Sequence, residues 1–162
     1  MTQLKLVDAE PDIITVRSDL LGELQIRPSE SMYFANGLLG FPECRRFALV
    51  RAEHDGLFWL QSMEYATLVF LLVDPFVAVS GYTIDVAPSQ LADLGAYRPA
   101  DIALLSVVTL PARPGETATA NLQGPIAINF VTHAAKQLVL SETDFGVRVP
   151  IDLKQLASQP KG

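Results

Sequence analysis

Short apolar runs rich in Val, Ile, Leu, Phe and Tyr recur along the chain between turn residues, and almost nowhere do apolar positions repeat with helical spacing. This pattern predicts strands over 13–17, 22–27, 31–35, 46–51, 57–62, 67–73, 82–87, 102–110, 117–122, 125–132, 136–141 and 147–153. Some runs alternate: Tyr82, Ile84 and Val86 are set to face inward while Thr83 and Asp85 face water. Asp55-Gly56, Asp74-Pro75 and Arg113-Pro114-Gly115 are turn sequences, so most neighbouring strands should be antiparallel. One stretch breaks the pattern. At 88–95 Pro88 suits a first helical turn, Leu91 and Leu94 share a face, and Gly95 can end the helix. The expectation is an all-β, mainly antiparallel, barrel-like fold with one short helix near 88–95, laid over an open end of a barrel or sandwich.

Composition sharpens this picture. A length of 162 residues, 49% hydrophobic content and a mean hydropathy of +0.27 fit one compact domain over 1–162, with its core at about 13–153. The ending, 157–162, should fray. The formal charge of -6, with Lys and Arg scattered apart from Arg45-Arg46, argues against direct nucleic-acid binding, which needs a clustered basic surface. It favours a basic protein partner. The apolar run at 68–73 stops at Asp74-Pro75, far short of a membrane span. Acids stand early in the chain where an export signal would be apolar, and the lone Cys44 leaves no intramolecular disulfide; both suit the cytoplasm.

Reactive chemistry has little to work with. His54, His133 and Cys44 have no metal spacing, so no metal and no cofactor is expected, and both histidines read as turn residues. Cys44 could in principle use either histidine as a base, but nothing flanking it marks a nucleophile, and cysteine is commonly buried. Asp85, Asp93, Asp101 and Asp144 would serve hydrolysis only if two met across a cleft, and they fit solvated faces and turns better. The Gly-Leu-Leu-Gly phrase at 37–40 lacks the Lys and the following helix of a phosphate loop. Asn121 and Asn129 flank Gly124-Pro125, and their amides are expected to serve backbone groups left open by that step.

Four phrases remain: NGLLGFPECRRFAL at 36–49, LFWLQSMEYATLVFLLVDP at 57–75, NLQGPIAIN at 121–129, and the AKQLVLSETDFGVRVPI ending. In order and wording they resemble the FliW family of flagellar assembly factors, over about 13–153. The resemblance implies a non-enzymatic β-barrel-type binder of cytoplasmic flagellin and of CsrA, a small basic RNA-binding dimer that regulates translation. It further implies partner switching: flagellin, when abundant, occupies the protein and releases CsrA. Matching motif positions are Gly37, Gly40 and Phe41; Leu60, Gln61 and Ser62; Asp74 and Pro75; and Asn121, Leu122, Pro125 and Asn129. Most are expected to hold the fold, with Gly40 allowing a turn that a Cβ would obstruct and Phe41 anchoring it. Gly124 stands where relatives often carry Ala, which should loosen that turn. Exposed acids near apolar edges, Glu43, Glu53, Asp55, Glu64 and Asp85, are the candidate partner contacts. The competing readings are a chaperone for flagellin alone and a small β-barrel hydrolase.

Overall fold

The computed structural model describes residues 12–96, 98–140 and 143–154. Among them the strands are β1 (Ile14–Ser18), β2 (Gly22–Ile26), β3 (Ser31–Phe34), β4 (Arg46–Arg51), β5 (Leu57–Ser62), β6 (Val69–Val73), β7 (Ala103–Thr109), β8 (Thr119–Ala120), β9 (Ile126–Asn129), β10 (Ala134–Gln137) and β11 (Val149–Pro150). Seven of them form a closed barrel in the order β7-β6-β5-β4-β3-β10-β9, and β9 returns to β7. That seam pairs Ala103 with Ile128, Leu104 with Ala127 and Leu105 with Ile126. The ring is antiparallel except where β10 runs parallel to β3, Tyr33 beside Ala134 and Phe34 beside Ala135. Closure leaves these strands no free edge.

The period of two along each strand sorts the core. On β4, Phe47 and Leu49 point into the barrel with Leu60 of β5 and Leu72 of β6, while Ala48 points out. The wall is apolar on its outside too, because three outer layers cover it. The β1–β2 hairpin brings Val16 and Ile26 onto Ala48. The segments around Tyr82 and Ile151 cover Val73, Ala120 and Leu122. Leu94, just after a short helix, packs on Ala127 and Leu138. Burial on both faces explains why β6 reads as an unbroken apolar run and why β9 is apolar up to Asn129.

Several expectations change. The helix at 88–95 forms as α2 (Pro88–Ala92) with Leu91 and Leu94 buried and Gly95 at φ 72, but the chain here covers the outer wall rather than an open end. A second helical turn, α1 (Pro75–Ala78), follows Asp74, whose carboxylate accepts the Phe76 N–H at 2.9 Å; Asp74-Pro75 is thus an N-cap and first turn. The strand expected at 82–87 joins no ladder, although its burial does alternate, because the barrel's edges are already paired. Around the prolines the strands are shorter than expected, β8 and β11 having two residues each. β10 starts at Ala134, and beyond it Leu138 and Leu140 instead donate to Pro125 and Gln123 carbonyls at 2.8 and 2.9 Å. The endings of two expectations, 141 and 157–162, lie outside the described residues.

The two asparagines divide the backbone work differently from expectation. Asn121 Oδ1 accepts from the N–H groups of Gln123 and Gly124 at 3.1 and 2.9 Å, as anticipated. The Gly124 carbonyl is taken by Gln137 Nε2 at 3.0 Å. Asn129, buried on β9, serves elsewhere: Oδ1 accepts from Val131 and Thr132, and Nδ2 donates to the Leu94 carbonyl at 2.9 Å. It ties the β9–β10 turn to Leu94, two residues beyond α2. Asn129→Ala is therefore expected to lower stability by about 2–3 kcal/mol, the upper range for stranding buried groups, and Asn121→Ala, only partly buried, by about 1 kcal/mol. Urea midpoints with unchanged slopes measure both. An Asn129→Ala protein that unfolds like the parent would refute this role.

Candidate functional site

The turns of the barrel gather at its two ends. Strand β4 starts and β5 stops at one end, so the loop at 35–45 and the turn at 63–68 lie together there. The turn at 52–56 lies at the other. In the first loop Leu38 and Phe41 exchange backbone hydrogen bonds at 3.2 and 2.8 Å, forming a tight turn at Leu39-Gly40. The Leu39 N–H donates to Gln137 Oε1 at 3.1 Å, which fastens the loop to β10 across the mouth of the barrel. The Phe41 ring lies 5.7 Å from Phe70, Phe70 lies 6.3 Å from Phe47, and Phe47 lies 5.2 Å from Phe34. A line of aromatic contacts thus runs from the interior to the mouth. Phe41, expected to anchor that turn in the core, packs its ring on Phe70 but stays 36% exposed, beside a Leu39 that is 64% exposed.

The second turn is fixed by its own side chains. Ser62 Oγ accepts from the N–H groups of Glu64 and Tyr65 at 3.1 and 3.0 Å, and Gln61 Nε2 donates to the Ser62 and Tyr65 carbonyls. This explains the Leu-Gln-Ser phrase: Leu60 faces the core, and the next two residues build the turn. Glu64 then crosses to the first loop, its Oε1 accepting the N–H groups of Arg45 and Arg46 at 3.0 and 2.9 Å. Those bonds, followed by the two arginine charges, hold its carboxyl below the usual range. Cys44 is buried beneath, and burial first, then Glu43 and Glu64, pushes its thiol up. A buried, protonated thiol beside two carboxylates is a poor nucleophile.

The candidate contacts fall in three places. Glu43 and Glu64 stand at the mouth with the exposed Leu39, Phe41 and Tyr65. Glu53 and Asp55 are exposed in the turn at the opposite end, with His54 between them. Asp85 is exposed on the outer wall, where it lines a 140 Å³ cleft with Asp144. The other two acids considered for hydrolysis are paired, Asp93 with Lys136 at 3.0 Å and Asp101 with Arg98 at 3.1 Å. His133 occupies the β9–β10 turn at φ 61. Among the described residues no group of three His, Cys, Asp or Glu could hold a metal ion, and no helix is long and apolar enough to cross a membrane. Leu39 and Tyr65 were not singled out by sequence; their signal was an apolar side chain placed inside a tight turn. Asp74 and Pro75 follow β6 and Asn129 ends β9, both at the end opposite the mouth, whereas Asn121 and Pro125 flank Gly124, whose carbonyl shares the Gln137 side chain with the mouth loop.

This geometry has close parallels in other proteins. A family model described as FliW protein matches residues 15–151. The flagellar assembly factor FliW of Natranaerobius thermophilus is 32% identical over 137 residues, covering 84% of this chain and 91% of the relative. That of Moorella thermoacetica is 35% identical over 134 residues, covering 82% and 85%. A crystal structure of the flagellar assembly factor FliW superposes with a TM-score of 0.77 at 30% identity, covering 85% of this chain and 96% of that one.

The two glycines of the mouth loop carry different constraints. At Gly40 (φ +87) an added Cβ would meet nothing within 4 Å, so backbone conformation, not obstruction as expected, calls for glycine. Gly37 (φ +64) lacks space as well: a Cβ would stand 2.5 Å from the Phe41 carbonyl oxygen and 2.6 Å from that of Pro42. At Gly124 an added Cβ would stand 3.1 Å from Asn121 Nδ2 and 3.2 Å from Gln137 Nε2. Gly40→Ala is expected to cost about 1–2 kcal/mol, the usual left-handed penalty. Gly37→Ala should cost clearly more, because two backbone carbonyls must move. Chemical denaturation of both variants gives the comparison, and equal costs would contradict it.

Proposed function

Because the chain belongs to the FliW family, we propose that it acts as a non-enzymatic flagellar assembly factor that binds flagellin in the cytoplasm and, by partner switching, binds and antagonises the translational regulator CsrA. The observation that carries this reading is the mouth of the barrel. There Leu39, Phe41 and Tyr65 are exposed beside Glu43 and Glu64 on two turns whose backbones are already held by hydrogen bonds. A surface ordered before binding loses little conformational freedom on association. Apolar side chains rimmed by the carboxylates of Glu43 and Glu64 and by the exposed Arg45 and Arg46 suit protein partners with an apolar element and a charged border.

The net charge of -6 supports a CsrA-type partner, a basic dimer whose encounter with an acidic protein gains from charge steering. Flagellin still in the cytoplasm exposes apolar surface that filament assembly later buries, and such surface can compete for the protein. When export drains flagellin, the free protein captures the regulator. When flagellin accumulates, it holds the protein and the regulator returns to its messenger RNA.

Two measurements test this. Calorimetry should show binding to the CsrA-type dimer that weakens as salt is raised, since screening removes the steering and weakens the close ion pairs. Mixing all three proteins on a sizing column should give two binary complexes and no stable ternary peak. Binding of flagellin alone, with no heat from the regulator at low salt, would reduce the protein to a flagellin chaperone. A ternary peak would contradict exchange.

A further inference from the structure

Residues 83–86 run extended along the outer wall without joining a sheet. They are bracketed by the Tyr82 N–H, which donates to the Val79 carbonyl, and the Ala87 N–H, which donates to Gln90 Oε1. Among the described residues, none supplies a hydrogen bond to the backbone between those points. The two sides of the segment differ in chemistry. Ile84 and Val86 line a 170 Å³ apolar cavity whose other walls are Phe76, Leu91, Ile102 and Leu104. Thr83 and Asp85, with Ile84 between them, line the 140 Å³ cleft that also holds Asp144. Both carboxylates are exposed.

We infer that 83–86 is a strand-addition site for a short extended segment of a partner protein in which apolar and basic residues alternate. A chain laid beside the segment would pair with its open backbone groups. Alternate side chains of the incoming chain must then fall on the same two sides as those of 83–86. On the side of Ile84 and Val86 they meet an apolar cavity, which takes an aliphatic residue. On the side of Asp85 they meet two carboxylates, which take Lys or Arg. A protein partner fits this charge pattern, and the overall charge of -6 favours a basic one. The site lies on the wall rather than at the mouth, so it stands whether or not the mouth binds the partners proposed above.

The probe is a short fluorescent peptide of alternating leucine and lysine, titrated into the full chain at low salt and followed by anisotropy. Binding is expected. It should weaken about tenfold or more when both Asp85 and Asp144 are changed to Asn, exposed positions at which folding is undisturbed. Replacing the leucines of the peptide with serine, or methylating the peptide nitrogens that face the segment, should weaken it comparably. Hydrogen exchange completes the test: amides between Thr83 and Val86 should exchange fast in the free protein and slow down with the peptide. No binding, or binding indifferent to these changes, would overturn the inference. So would amides that are already protected without peptide, because the chain's own residues or a second copy would then cover the segment.

Discussion

Three register positions, Ala103 with Ile128, Leu104 with Ala127 and Leu105 with Ile126, join what would otherwise be two open edges and turn a sheet into a ring. Much of the remaining architecture follows from that seam. A closed wall has an inside that side chains fill and an outside too apolar to leave wet, so the hairpin, the α2 region and the carboxyl-terminal segments are drawn onto it. Closure also uses up the backbone groups of the wall. A further extended segment such as 83–86 therefore packs by its side chains without finding a ladder.

With its wall closed, the molecule presents its loops at the ends. At the mouth the loop is held by Gln137 from β10, by Glu64 from the neighbouring turn and by Phe41 against Phe70. Residues beneath and around the exposed surface hold it in place: Gly37 permits the tight backbone approach, Leu60 fills the core, and Gln61 and Ser62 shape the second turn. Glu64 shows how support and contact can meet in one residue. One of its oxygens is committed to two backbone N–H groups, and its charge is kept on an exposed rim.

Much of this was legible in the sequence. Strands β4 and β5 were read with their observed limits, since a two-residue alternation or an apolar run between clear turn signals marks a paired strand. The all-β class and the family were likewise legible. The stretch at 82–87 was read less well, because the pattern there reports burial and not pairing: Tyr82, Ile84 and Val86 alternate correctly but have no neighbouring strand. Asn129 was assigned to the wrong backbone groups because its partner, the Leu94 carbonyl, is 35 residues away. Gly37 and Gly40 look alike in sequence, and only the fold shows which lacks room for a Cβ. The candidate acids could be named but not grouped, since their placement at two ends and one wall depends on strand direction.

Native-state hydrogen exchange of the full chain tests the ring most directly. If β7 and β9 close the barrel, the amides hydrogen-bonded across 103–105 and 126–128 should exchange as slowly as those between β4 and β5, because opening the seam would disrupt the common core. Seam amides that exchange orders of magnitude faster, while those of β4 and β5 stay protected, would mean that the sheet is open in solution and would contradict the account.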